Sequence, residues 1–387
     1  MSENYDFSEI RPIEDSEVHE VIEGLLREDR FRKAIGYVYP NMTWKQFSAL
    51  MLSMENKQQF QTTIIAPFLW TLADKTTRGL DISGLENINN EDSYLFMSNH
   101  RDIVLDASFL NILFNKNGYR LTEVAIGDNL LIYPWIKSLV RLNRSFIVQR
   151  EAPVRKKLEI SKRLSAYIHY AIREKKESAW IAQREGRAKN SDDRTQESLL
   201  KMLSLSGGGS FLDNIKSLNI VPISISYEYD PCDYLKAQEF QIRRDNPEYK
   251  KSQSEDLLSM ETGIFGFKGR VNFRLGKPIN QLIPDEWETL DRTECAREVA
   301  QLIDSQIHNN YQFYPCNYIA YDMLNNTKRF AERYSEAEKG MFETYLSMQE
   351  NKIIRIVDKD SEFIRNCMLT MYSNPLANSI ASVPRFE

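Results

Sequence analysis

The chain has 387 residues, of which 42% are hydrophobic and 27% charged, a composition typical of a folded globular protein with one or two cores. Its net charge of -5 disfavours a nucleic-acid-binding protein, because such proteins present a basic surface to phosphates. The four cysteines are scattered and lack the spacing of a metal site, so neither a zinc site nor a disulfide framework is expected.

Residues 1–78 predict an N-terminal helical region. Its beginning is acidic and has no basic segment followed by an apolar one, so we expect no secretory signal and a cytoplasmic location. Apolar residues then recur at helical spacing from Thr43 to about Thr77. The uncharged stretch 59–73 is shorter than the ~20 apolar residues of a membrane-spanning helix. It predicts either a core-facing helix or a face lying on lipid headgroups. The residues of that face are Ile64, Ile65, Phe68, Leu69 and Trp70.

Residues 79–284 predict an α/β domain. Short apolar segments of strand length alternate here with helical segments, which is typical of a mixed, mostly parallel sheet flanked by helices. The predicted strands are 93–98, 121–127, 145–150, 178–183, 219–229 and 269–279. Helices are predicted at 103–114 and 154–178, and a polar insertion at about 232–262. Residues 285–387 predict a helical C-terminal extension.

His100 stands out among the four histidines because of its position. It follows an apolar strand and precedes an apolar helix, which is where open α/β sheets bind ligands. An aspartate close by would let this histidine act as a general base. The other three, His19, His169 and His308, lie in acidic or helical segments and are interpreted as solvated or structural.

Two aspartates could serve as the partner of His100. Asp102 precedes the first apolar residue of the helix, where a capping residue belongs. Asp106 interrupts the apolar run of the first helical turn, so its presence needs another reason. These positions favour Asp106 as the catalytic partner and Asp102 as the cap, with Asp102 as the alternative partner.

The segment Asn99-His100 followed by Asp106 resembles the first motif of the glycerolipid acyltransferases, which act on glycerol-3-phosphate or lysophosphatidate. The family has a histidine, four residues and then an aspartate, whereas this chain has one residue more before Asp106. The resemblance assigns Asn99 to the substrate site. It extends over about 80–280, where three further motifs follow in the family's order.

The second motif resembles 127–151, and the resemblance implies that Arg150 binds the acceptor's phosphate. An arginine can hold a phosphate through two parallel hydrogen bonds. The third motif resembles Glu185-Gly186-Arg187, although Arg187 comes one position early and Arg184 replaces the usual proline. Together with Lys189 and Arg194 these residues predict an anion site. The fourth resembles the strand around Pro222, which in the family helps to shape the acyl-donor pocket.

The resemblance implies an acyltransferase that moves a fatty acyl group from acyl-CoA or acyl carrier protein to a hydroxyl of glycerol-3-phosphate or 1-acylglycerol-3-phosphate. His100 and Asp106 would be catalytic, and no metal or organic cofactor is expected. The expected partners are the lipid precursor, the acyl donor and the cytoplasmic face of the membrane. Two alternatives remain open: an amine- or amino-acid-headed lipid as acceptor, or a non-catalytic relative that binds lipid or carrier protein.

Overall fold

The structure, a computed structural model, describes residues 5–150 and 153–382. Residues 1–4, 151–152 and 383–387 of the predicted regions lie outside the described part. The N-terminal region is helical, as predicted. Its helices are α1 (Val18–Leu26), α2 (Asp29–Val38), α3 (Trp44–Leu52), α4 (Lys57–Phe60) and α5 (Ala66–Thr76), with a π-helical turn at Gln61–Ile65 between the last two.

Strands and helices then alternate, as the apolar segments predict. In chain order they are β1 (Thr77–Ser83), β2 (Leu95–Ser98), α6 (Leu105–Lys116), β3 (Glu123–Gly127), α7 (Pro134–Leu142), β4 (Ser145–Val148), α8 (Val154–Arg173), β5 (Ala179–Ala182), α9 (Glu197–Leu203), α10 (Phe211–Lys216) and β6 (Ile220–Tyr227). After β6 follow α11 (Asp233–Asp245), α12 (Gln253–Phe265), β7 (Gly269–Leu275), α13 (Arg292–Asn309), α14 (Pro315–Asn325), α15 (Glu336–Asn351) and α16 (Ser361–Ser382).

The strands form one sheet in the order β1-β7-β6-β2-β5-β3-β4. All neighbouring strands are parallel except β6 and β7, which confirms the predicted mixed, mostly parallel sheet. The strand β1 was not predicted, because its polar and apolar residues form no apolar run. In contrast, β6 is buried along its whole length, as expected for a β-branched central strand.

Helices cover both faces of the sheet because alternate strand residues point to opposite sides. Leu95 and Met97 of β2 join the apolar core shared with α8 and α13. Phe96, between them, joins the opposite core with α5 and α6. The four strands β2, β5, β3 and β4 are parallel, so their carboxyl ends lie at one edge of the sheet. This edge is where the site is built.

The predicted polar insertion at 232–262 folds into two packed helices. Six of the thirteen residues of α11 are buried, and the helix packs against α15 and α16 of the helical C-terminal region. In that region, however, α13 packs on the sheet itself through Val299 and Ile303. The structure therefore places the first helix beyond 285 in the core of the α/β domain.

The predicted membrane-contacting face around α5 is wrong for two of its five residues. Ile64 and Leu69 are each 4% exposed and belong to apolar cores. Ile65, Phe68 and Trp70 are half-buried and pack against the core under α6. Because this face packs against other parts of the protein, little of its apolar surface is available to contact lipid. Among the described helices none is long and apolar enough to cross a bilayer.

Candidate active site

The turn between β2 and α6 brings a histidine and a carboxylate together. His100 follows the carboxyl end of β2, and its Nδ1 lies 2.7 Å from Oδ2 of Asp106 in the first turn of α6. The Asp106 side chain is 1% exposed and that of His100 is 15% exposed. The indole of Trp180 on β5 meets the imidazole edge-on, with ring centroids 5.7 Å apart.

Three further donors hold the Asp106 carboxylate in place. Its Oδ2 accepts hydrogen bonds from the backbone N–H groups of Arg101 and Asp102, at 2.7 and 3.1 Å. The hydroxyl of Tyr227, at the end of β6, donates to Oδ1 at 3.3 Å. When Nδ1–H of His100 donates to this fixed carboxylate, Nε2 is left as a hydrogen-bond acceptor, which is the tautomer that a general base requires.

Asp102 is placed at the start of the helix rather than against His100. Its Oδ1 accepts hydrogen bonds from the backbone N–H groups of Val104 and Leu105, each at 2.8 Å, and so caps α6. Burial raises the pKa of the Asp102 carboxyl, and the charge of Asp106 raises it further. The structure thus brings His100 together with Asp106, the partner that the helix position favours.

A buried ion pair supports this turn from the other side. The guanidinium of Arg101 lies 2.5 Å from Oδ2 of Asp193, and the Tyr311 hydroxyl donates to the same oxygen at 3.0 Å. Sequence reasoning missed Arg101, Asp193, Tyr311 and Tyr227. The last three lie far from His100 in the chain, and nothing in the local pattern distinguishes them.

His100 opens onto a cavity of about 920 Å³. One wall is apolar and comes from α5, α6, β3 and α7, including Leu69, Ala107, Ile112, Val124 and Leu139. At the carboxyl edge the lining becomes basic, with Arg150, Arg184 and Arg187. An apolar compartment and a cationic one therefore meet beside the histidine.

The arginines at this edge have unmet bonding capacity. Nε of Arg184 and Nη1 of Arg187 are buried and have no hydrogen-bond partner among the described residues. Arg150 runs past Gly127, where a Cβ atom would come within 3.0 Å of its Nε. Gly186 directly precedes Arg187 and has a φ of +70°, a left-handed backbone conformation that favours glycine. No described acid forms an ion pair with these three arginines, so they are available to an anion.

The other cations predicted for the anion site are engaged elsewhere. Lys189 lines the cavity but forms an ion pair with Glu239. Arg194 points away to Asp192 and Asn378. The predicted cluster is therefore reduced to Arg184 and Arg187, with Arg150 joining from β4. Glu185 also lines the cavity, and its backbone N–H donates to Oε1 of Gln196.

Asn99 and Pro222, predicted to bind substrate, do not line the cavity. The Asn99 amide is buried and clamps β6, donating to the Ile225 carbonyl at 2.9 Å and accepting from its N–H at 2.8 Å. Pro222 is buried inside β6 opposite Met97. The structure therefore places Asn99 and Pro222 at the paired strands β2 and β6, and not in the lining of the cavity.

The remaining histidines differ from His100 in their surroundings. His169 and His308 are buried and bond to the backbone carbonyls of Leu203 and Asp193. His19 is exposed beside Glu23. Within the described chain no three His, Cys, Asp or Glu side chains are grouped as metal ligands would be.

Residues 79–226 match the family model described as Acyltransferase. This stretch is an acyltransferase domain. It runs from β1 into β6 and contains His100, Asp106, Arg150 and Arg187, so the family predicted from the motifs is confirmed at the level of the acyltransferases. No curated protein is significantly similar to the chain.

Among solved structures, the domain and its surroundings are similar to the 1-acyl-sn-glycerophosphate (LPA) acyltransferase PlsC from Thermotoga maritima. The sequences are 12% identical, and the TM-score is 0.34. The alignment covers 75% of this chain and 96% of that one.

Proposed function

We propose that this acyltransferase moves a fatty acyl group from acyl-CoA or acyl carrier protein to a hydroxyl of glycerol-3-phosphate or 1-acylglycerol-3-phosphate. The observation that carries the proposal is the position of the His100–Asp106 pair between an apolar wall and unpaired arginines. The apolar wall suits the acyl chain and the arginines suit the phosphate. The hydroxyl to be acylated would then lie at the histidine.

In this reaction Nε2 of His100 takes the proton of the acceptor hydroxyl as its oxygen attacks the thioester carbonyl. Asp106 keeps the imidazole oriented and stabilises the imidazolium that forms. The tetrahedral intermediate collapses, the C–S bond breaks, and the imidazolium returns its proton to the leaving thiolate. The products are an ester and a free thiol, and this chemistry needs no metal or organic cofactor.

Phosphate binding would come from Arg150, Arg184 and Arg187. The buried N–H groups of Arg184 and Arg187 cost free energy while they lack an acceptor, and phosphate oxygens would supply one. The net charge of the protein is negative, so this site would be a local basic exception on an acidic molecule.

We further propose that the protein works as a peripheral protein on the cytoplasmic membrane face. Leu158 on α8 is 62% exposed and Phe265 at the end of α12 is 60% exposed, and both helices line the cavity. Arg155, Lys156 and Lys157 lie beside Leu158 and would attract anionic headgroups. Vesicle flotation tests this: Leu158→Asp and Phe265→Asp should weaken binding, whereas Val357→Asp, at an exposed position in the loop between α15 and α16, should not.

Mass spectrometry of lipids tests the reaction itself. The purified protein is incubated with acyl-CoA or acyl carrier protein and a panel of acceptors. Acylated glycerol phosphates support the proposal. Acylation of an amine-headed lipid alone would replace the acceptor, and binding without any product would point to a non-catalytic lipid- or carrier-binding protein.

A further inference from the structure

The loop between β5 and α9, residues 183–196 (the anion loop), carries Arg184 and Arg187 of the basic cavity lining. These residues form neither helix nor strand, so a regular pattern of backbone hydrogen bonds does not fix the shape of the loop. At its beginning, the backbone N–H of Gln183 donates to the carbonyl of Ser98 at 2.8 Å and ties the loop to β2. The positions of both arginines therefore depend also on what holds the other end.

The other end of the anion loop is held by α13, a helix outside the acyltransferase domain. The Asp304 carboxylate accepts hydrogen bonds from the backbone N–H of Thr195 at 2.7 Å and from its hydroxyl at 2.6 Å. One turn further along α13, Nε2 of His308 donates to the backbone carbonyl of Asp193 at 2.7 Å. Asp193 and His308 are both 0% exposed. Buried bonds of this kind are costly to break, because the separated groups have no water to replace their partners.

The Asp193 carboxylate also joins this loop to the turn that carries His100. Its Oδ2 accepts hydrogen bonds from the guanidinium of Arg101, the residue after His100, at 2.5 Å and from the Tyr311 hydroxyl at 3.0 Å. The side chains of Arg101 and Asp193 are 7% and 1% exposed. Such a pair resists separation, since either partner alone would be a buried, uncompensated charge. One carboxylate thus fixes the anion loop relative to the general base.

We propose that Asp193 and Thr195 are positioning residues for the acceptor's phosphate. Held by α13 and by Tyr311, they keep the arginines of the anion loop beside His100, so that a bound phosphate presents its neighbouring hydroxyl to the imidazole. A loop that is competent for only part of the time binds with an affinity reduced by that fraction. This inference rests on the proposed function, which assigns the arginines to phosphate. It gives the helical C-terminal region a part in the site that the acyltransferase domain alone does not contain.

Charge-neutral substitutions test the positioning role through KM and kcat for a glycerol phosphate acceptor. Thr195→Val and Tyr311→Phe each remove one hydroxyl donor and keep the size of the side chain. We expect KM to rise by about threefold to tenfold while kcat stays within about twofold of the wild type. Thr195→Ser keeps the hydroxyl and should keep the wild-type KM. The matched controls are Thr327→Val and Tyr334→Phe, which remove the same two donors from Asp322, a buried carboxylate of α14 that does not line the cavity. These controls should leave KM unchanged.

Titration calorimetry with inorganic phosphate and with glycerol-3-phosphate measures the site without acyl transfer. The dissociation constant should rise in Thr195→Val and Tyr311→Phe and stay unchanged in the two controls. If the wild type transfers no acyl group to any acceptor, the proposed function fails, and these titrations alone decide the inference. Unchanged dissociation constants in both loop variants, equal increases in the controls, or no binding of either anion by the wild type would overturn it.

Discussion

Gly263 of α12 lies directly against the carboxylate of Asp102, so that a Cβ atom at this glycine would overlap Oδ2. This contact joins a helix outside the acyltransferase domain to the residue that caps α6. Met260 and Ile264 of the same helix line the cavity. The helix α12 therefore packs directly on the turn between β2 and α6, and this close packing requires a residue without a side chain at position 263.

Gly263→Ala should lower both stability and activity. The added methyl group must displace α12 or Asp102, and overpacking of this kind costs about 1–3 kcal/mol. Thermal melting and acyl transfer are measured side by side. Gly340→Ala in α15 is the matched control, since a Cβ atom there meets nothing within 4 Å and should stabilise the helix by about 0.5–1 kcal/mol. Equal effects from the two substitutions would contradict the packing argument.

His100→Ala should abolish transfer and leave the fold intact. A lost general base costs about 10²–10⁴ in kcat, and the half-buried imidazole contributes little packing. The turnover number and the melting temperature are compared with those of His19→Ala, whose imidazole is exposed beside Glu23. A comparable loss of kcat in His19→Ala would show that the assignment is wrong.

Substitutions of the two aspartates should have different effects: one should lower activity and the other should lower stability. Asp106→Asn removes the carboxylate that orients His100, so kcat should fall with little change in melting temperature. Asp102→Ala leaves the N–H groups of Val104 and Leu105 without a cap and should cost about 0.5–2 kcal/mol. Denaturant unfolding and initial rates distinguish the two. The opposite pattern would mean that their roles are exchanged.

Arg150→Ala and Arg187→Ala should raise KM for a phosphate-bearing acceptor more than they lower kcat. Each contact is made to substrate and transition state alike, so its loss weakens binding uniformly. Lysine should restore only part of the affinity, because it cannot form two parallel hydrogen bonds. Arg194→Ala is the control, since this arginine points to Asp192 and Asn378. If Arg194→Ala raises KM as much, the increase reflects the loss of one positive charge and not the loss of a specific contact with phosphate.

The helical C-terminal region should respond to pH through Asp233. Burial, reinforced by the charge of Asp230, raises the pKa of the Asp233 carboxyl to about 7, although the hydroxyls of Tyr345 and Tyr372 donate to it. Because the folded-state pKa is raised, the native protein holds a proton that the unfolded chain releases near pH 4. This contribution to the free energy of unfolding is present at low pH and is lost as the pH rises from about 4 to about 7.

Asp233→Asn removes this titration. The melting temperatures of the wild type and the variant are compared between about pH 5 and pH 8. We expect the wild type to lose more stability than the variant up to about pH 7, with the difference constant above that. Parallel curves over the whole range would exclude a raised pKa for this carboxyl.

Local pattern was enough to predict six of the seven strands and the pairing of His100 with Asp106. Five of the six strands predicted between residues 93 and 279 are apolar runs. Their hydrophobicity alone dictates that such runs are buried between helices. Asp106 was found because a carboxylate in an apolar helical turn needs a partner, and His100 is six positions away. Short separation in the chain makes this kind of inference possible.

Only the tertiary structure decided which polar residues share the site. Tyr227 donates a hydrogen bond to Asp106, 121 positions away in the chain. The side-chain amide of Asn99 forms both of its hydrogen bonds with the backbone of Ile225 in β6. Gln61 and Asn143, which are far apart in the chain, both line the same cavity. Such contacts depend on strand order and helix direction, and the hydrophobic pattern of one segment carries no information about the distant segment that it meets.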